Sequence, residues 1–232
     1  MYDKGNDLSG PPAYWTLRRI RRQFVVYYTL GVTNLHMNTL LPFPPSPKAR
    51  ADLKPGTLYA IDGDDSYLYY GQVAPNKQIG FFRFRSREVL IQEALAAPLM
   101  SRFGVNYPSI GMALRSGKWL NLGRHKLRPE LLEEPVLVQW PVGTLTVTLW
   151  KGRDILRSTL VHDPEIQDLE IMASYDATYH VPPRLRTDFC ETADAWVAGG
   201  SIRRERLKKE DMAARFPQTP WHQLPIDWVT VQ

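Results

Sequence analysis

The stretch GFFRFR (80–85) alternates Phe82 and Phe84 with Arg83 and Arg85, the period of a half-buried strand. Two runs before it, TLYAI (57–61) and YLYYGQV (67–73), are rich in aromatic and β-branched residues and are separated by Asp62-Gly63-Asp64-Asp65-Ser66. Together the three predict a β-meander. The carboxylates of Asp62, Asp64 and Asp65 fall in its first loop, where Asp accepts local backbone hydrogen bonds and tolerates turn dihedrals. A calcium loop starting at Asp62 would need Gly sixth and Glu twelfth, and Tyr67 and Val73 stand there. The cluster therefore reads as a turn.

Further on, Ser86 is positioned to cap a helix beginning REVLIQEALAAP, with Pro98 closing it. IGMAL and KWLNL, joined by Arg115-Ser116-Gly117, predict a second hairpin. VLVQWPVGTLTVTLW and ILRSTLV add strands around the turn Lys151-Gly152-Arg153-Asp154. HDPEIQDLEIMASY then takes a helical pattern, with Asp163 as N-cap, Pro164 at the first helical position and Glu165 favouring the dipole. Ile166, Leu169 and Met172 or Ala173 form its apolar stripe and leave Glu165, Asp168 and Glu170 on an acidic face. DAWVAGGSIRRERLKKEDMAARF predicts a helix broken at Gly199-Gly200 and a second one capped by Ser201. The expected fold is α+β: a β-rich core of antiparallel meander and hairpins, barrel-like or twisted, with flanking helices that become more frequent toward the C-terminus.

The proline-rich LLPFPPSPKAR (40–50) predicts a linker or strap, so the chain divides into a leading segment, 1–50, and an α+β domain, 51–232. In the leading segment, Tyr14, Leu17, Ile20, Phe24 and Tyr28 follow helical spacing while FVVYYTL has strand composition, predicting helix and then strand. Four arginines (Arg18, Arg19, Arg21, Arg22) before that apolar run imitate a secretion signal. Two tyrosines interrupt the run, no small-x-small site follows, and the stretch lies well inside the chain. A cytoplasmic location is expected, and no run approaches the roughly 18 apolar residues of a membrane span.

Composition refines this reading. In 232 residues, 44% hydrophobic content supports a real core, and one cysteine, Cys190, excludes an intramolecular disulfide. Up to Arg50 there are seven basic and two acidic residues, and the remainder is balanced. The body is itself polarised, with eleven basic against five acidic residues over Lys54–Arg128 and five against twelve over Pro129–Asp194. Such asymmetry points to charged partners.

Catalytic patterns are missing from the sequence. The five histidines never stand at i, i+4, and there is neither a phosphate-binding glycine loop nor a Gly-x-Ser-x-Gly elbow. Cys190 reads as a small apolar filler rather than a nucleophile with His180. Asp163 and Glu165 beside His162 are the one acid-base or metal candidate, and helix capping accounts for Asp163. Binding without catalysis, cofactor or metal is the expected class.

LKPGTLYAIDGDDSYLYYGQV followed by IGFFRF, then LRSGKWLNLGRHKLRPELLEEP and DLEIMASYDATYHVPPRLR, resembles the immunity protein 26 family of bacterial polymorphic-toxin and contact-dependent inhibition systems. The residues that carry the likeness are Lys54, Pro55, Gly56, Tyr70, Gly71, Val73, Gly117, Trp119, Gly123 and Pro135, within roughly Asp52 to Phe189. The resemblance implies a non-enzymatic intracellular antidote that binds a cognate toxin domain, a nuclease among the options, and blocks its active site or substrate path. The acidic stretch, with Asp163, Glu165, Asp168, Glu170 and Asp176, is then the expected partner surface, since a basic nuclease cleft accepts an acidic face. The strand carrying Phe81, Arg83 and Arg85 is the alternative surface. The same residues, with the basic leading segment, support a second reading as a nucleic-acid-binding β-barrel. Nucleic acid is disfavoured because the body from Ala51 onward carries no net charge.

Overall fold

The computed structural model describes residues 42–190, 197–219 and 224–231. The chain divides into two compact units, Met1–Thr39 and Leu40–Gln232, and all described residues belong to the second. The helix and strand expected in the leading segment lie outside them.

The meander forms as its pattern requires. β1 (Thr57–Asp62), β2 (Leu68–Val73) and β3 (Ile79–Ser86) pair antiparallel in sequence order. Period two divides their side chains between two cores. Tyr59, Ile61, Tyr69, Val73 and Phe81 enter one, and Leu58, Ala60, Tyr70 and Phe82 enter the other. The first loop is a turn held by its own carboxylates: Asp62 Oδ1 accepts the Asp64 amide at 3.0 Å and Asp65 Oδ1 that of Tyr67 at 3.1 Å. Lys118 Nζ reaches both Asp62, at 2.9 Å, and Asp64, and these carboxylates outweigh partial burial to raise the Lys118 pKa.

α1 (Ile91–Ala96) follows β3, but Ser86 does not cap it. The Ser86 hydroxyl instead closes a buried network with the Tyr70 hydroxyl at 2.7 Å and the Glu88 carbonyl at 2.5 Å. β4 (Leu99–Val105), which the pattern did not announce, lies antiparallel to β3. The second hairpin is also corrected, because IGMAL belongs to α2 (Tyr107–Arg115). Asn106 caps α2 by accepting the Ser109 amide at 3.3 Å, Pro108 occupies its first turn, and Ile110, Ala113 and Leu114 bury one face at i, i+3, i+4. Only KWLNL is strand: β5 (Trp119–Arg124) pairs with β1 and closes one edge of a curled six-stranded sheet.

β6 (Val136–Gln139), β7 (Thr146–Lys151) and β8 (Asp154–Leu160) form a second antiparallel sheet. The helix expected over HDPEIQDLEIMASY is absent. Asp163 does cap, accepting the Glu165 amide at 2.9 Å, but only one 3-10 turn follows, Pro164–Ile166. The chain then extends into β9 (Glu170–Ile171), parallel to β6, and β10 (Ser174–Tyr175), parallel to β4. One extended segment thus joins the two sheets, and these tertiary ladders outweigh the local helical pattern.

α3 (Val181–Cys190) packs on the first core through Val181 and Leu185. α4 (Ile202–Arg215), capped by Ser201 as expected, packs Ile202 under the second sheet with Val138, Val147 and Leu149. The helix expected before Gly199 falls partly outside the described residues, and Val197 and Ala198 form a bend. The result is a mixed, curled sheet with helices weighted toward the C-terminus, an α+β fold. The proline-rich stretch is a strap on this body: Phe43 is buried beside Leu58 and Phe82, and Ala49 and Ala51 pack on the first core. No helix among the described residues is long and apolar enough to cross a membrane.

Candidate functional site

Without their helix, the acidic residues do not share one face. Asp163 is bound by the Thr159 hydroxyl at 2.7 Å and by Arg157 at 3.0 Å, and these contacts with the Glu165 amide hold its carboxyl below the usual range. Glu165 takes the other end of the Arg157 guanidinium at 2.8 Å. Asp176 accepts the amides of Thr178 and Tyr179 at 2.8 and 2.9 Å and so opens the turn before α3. Asp168 is the most exposed, with Arg203 at 3.7 Å.

Glu170 lies on the wall of a cleft of about 450 Å³ between β4, β9, α3 and α4. Its two oxygens hold Arg184 at 3.1 and 2.9 Å, and Arg184 Nε donates to Asp188 at 2.7 Å. Arg204 completes the chain on Asp188 at 2.7 Å. Arg184 is only 4% exposed. Burial pulls its pKa down, and the carboxylates of Glu170 and Asp188 outweigh that and raise it. This network fastens β9 to both C-terminal helices, so its carboxylates are committed within the molecule.

The alternative strand separates in the same way. Phe81 is not a surface residue: it is fully buried and stacks on Phe103 with ring centroids 4.5 Å apart. The next residue, Phe82, is buried in the second core, and β3 leaves the interior only from Arg83 onward. Arg83 is exposed and reaches the Phe189 carbonyl at 3.4 Å. Arg85 lies over the rings of Tyr67 and Phe189 at 4.3 and 4.4 Å, beside Asp65 at 3.7 Å.

One surface among the described residues that retains binding groups without ion pairs is on α2, where the pattern suggested a strand. A groove of about 490 Å³ is lined by Arg50, Ala51, Tyr107, Pro108, Gly111, Met112 and Arg115. Gly111 leaves its floor open, and a Cβ there would stand 3.3 Å from Arg115 Nη1. Met112 is 50% exposed, Tyr107 is exposed beside it, and Lys77 Nζ lies 6.0 Å from the Tyr107 ring centroid. Arg115 donates to the Ala49 carbonyl at 3.3 Å, and neither it nor Arg50 nor Lys77 forms an ion pair among the described residues. Tyrosine, methionine and arginine around a shallow depression are the residues that interfaces favour. The signal that would have found this groove was the Asn106-x-x-Ser109 cap with Pro108.

Among the described residues no group of His, Cys, Asp or Glu is arranged to hold a metal ion. Comparison with protein-family models, with curated proteins and with solved structures gives no match to this chain.

Proposed function

We propose that this chain is a non-catalytic antidote of the immunity type, which binds a cognate toxin domain and blocks its active site or substrate path. The observation that carries the reading is the α2 groove: an exposed tyrosine and methionine flanked by three cations without ion pairs among the described residues. Such a groove suits a partner surface that presents a carboxylate between apolar side chains. The motif likeness to the immunity protein 26 family supports the same class. Intramolecular pairing of Asp163, Glu165 and Glu170 moves the expected contact from the acidic stretch to this basic, aromatic one.

The test is co-expression in a sensitive host with the toxin domain encoded beside this gene. The wild-type chain restores growth, and Met112→Asp with Arg115→Glu abolishes protection while the protein still folds. Absence of protection by the wild type refutes the antidote reading.

Tyr107 with Lys77, Arg50 and Arg115 also forms a platform on which a nucleic-acid base could stack. Titration with single-stranded DNA and RNA separates the two readings. A nucleic-acid binder loses affinity steeply with salt, and an antidote shows no appreciable binding.

A further inference from the structure

The second sheet ends on an open strand. In the order β8-β7-β6-β9, β8 pairs only with β7, so alternate amides and carbonyls along its other side have no ladder partner among the described residues. Edge strands are usually short or guarded by proline, charged side chains or a bulge. β8 has seven residues, DILRSTL, without proline or lysine and with its bulge near the N-terminal end, and six of them are exposed. Its single cation, Arg157, is drawn toward Asp163 and Glu165.

The register shows which side chains face outward. Arg157 and Thr159 stand opposite Leu149 and Val147, whose side chains enter the core of the sheet, whereas Ser158 and Leu160 stand opposite Thr148 and Thr146. A bulge between Leu149 and Trp150 leaves Leu156 as the extra residue. Leu156, Ser158 and Leu160 fall at i, i+2, i+4, one face of the strand. Leu156 is 50% exposed, Leu160 46% and the neighbouring Ile155 61%.

We infer that β8 is a self-association edge, which takes β8 of a second copy of this chain, antiparallel, about a two-fold axis through Ser158. In this register the strand is self-complementary. Leu156 lies opposite the second copy's Leu160, and Arg157 opposite its Thr159. Each contact occurs twice, as an isologous interface requires. A centre on Arg157 would oppose two like charges. A seven-residue edge covers less than a standard interface, so the dimer forms with a dissociation constant roughly in the micromolar range. The α2 groove takes no part, and this inference stands independently of the antidote reading.

Three measurements on the full chain test it. Sedimentation velocity from low to several hundred micromolar shows the wild type passing from monomer to dimer, and Leu156→Lys raises the midpoint at least about tenfold. In a Cys190→Ser background, Ser158→Cys forms a covalent dimer on mild oxidation, because residues paired across a strand lie within disulfide reach. Leu156→Cys does not, since its two copies stand about 14 Å apart in this register. A wild type that stays monomeric throughout overturns the proposal and leaves the edge to a strand of another protein. A dimer unaffected by Leu156→Lys, or one in which Leu156→Cys cross-links as readily as Ser158→Cys, overturns it as well.

Discussion

Replacing Arg184 with leucine should destabilise the fold more than any surface change. The guanidinium is 4% exposed, holds Glu170 with two bonds and Asp188 with a third, and lies over the Phe103 ring with its central carbon 4.9 Å from the centroid. Removing it leaves two poorly solvated carboxylates with only Arg204 near one of them, and breaking a buried pair in this manner costs about 3 to 5 kcal/mol. At about 2 to 4 °C per kcal/mol for a unit of this size, the melting temperature should fall by roughly 6 to 20 °C. Circular dichroism melts of wild type and Arg184→Leu measure it. The triple change Arg184→Leu, Glu170→Leu, Asp188→Leu should recover more than half of the loss, because an apolar cluster of similar volume replaces a charge network at little cost. A single variant that melts within about 2 °C of wild type, or a triple variant no better than the single, would refute the assignment of a buried network.

The indole of Trp119 is buried against Tyr59 and donates to the Ala177 carbonyl at 3.1 Å. Trp119→Ala should therefore cost about 3 to 5 kcal/mol in urea denaturation, and an unchanged midpoint would contradict the burial. At Gly71 a Cβ would stand 2.6 Å from Ile79 Cγ2 and 2.8 Å from Phe81 Cδ1, so Gly71→Ala should lose about 1 to 3 kcal/mol by overpacking, read in the same assay. Burial pushes the Tyr59 and Tyr69 phenols up to about 12 from 10.0. Both favour the folded state below pH 10, and that contribution is lost as pH rises from about 10 through 12. Ultraviolet titration should show these phenolates forming late and melting temperatures falling over the same window, whereas ionisation near pH 10 in the folded protein would contradict it.

The meander was legible because each of its strands carries its signal locally: aromatic runs, a carboxylate turn, Phe82 and Phe84 against arginines. Gly56 shows the same for a backbone position, with φ of +91° and the His125 carbonyl pressed against its α-carbon, where a Cβ would stand 2.5 Å away. The failures came where distant partners decide. Asp163 and Pro164 do start a turn, but Glu170 to Tyr175 are claimed by β6 and β4, which no local pattern reveals. IGMAL fits strand or helix equally by composition, and the Asn106 cap decides for helix. Charge counts along the chain suggested one acidic surface, and the ion pairs that match much of it locally, Arg157 with Asp163 and Glu165 and Arg184 with Glu170, join residues the local pattern does not connect. Phe81 was assigned outward with Arg83 and Arg85, and it does share their face, but that face is itself covered where Phe103 and Phe189 pack on it.

The most direct measurement is calorimetric titration of the purified cognate toxin domain into the full chain and into its Met112→Asp and Arg115→Glu variants. Binding through the α2 groove predicts saturable one-to-one association by the wild type. Each variant, still folded by circular dichroism, should lose at least about 2 kcal/mol, roughly 30-fold in affinity. No binding by the wild type would contradict the antidote function, and full-strength binding by both variants would contradict the groove as its surface.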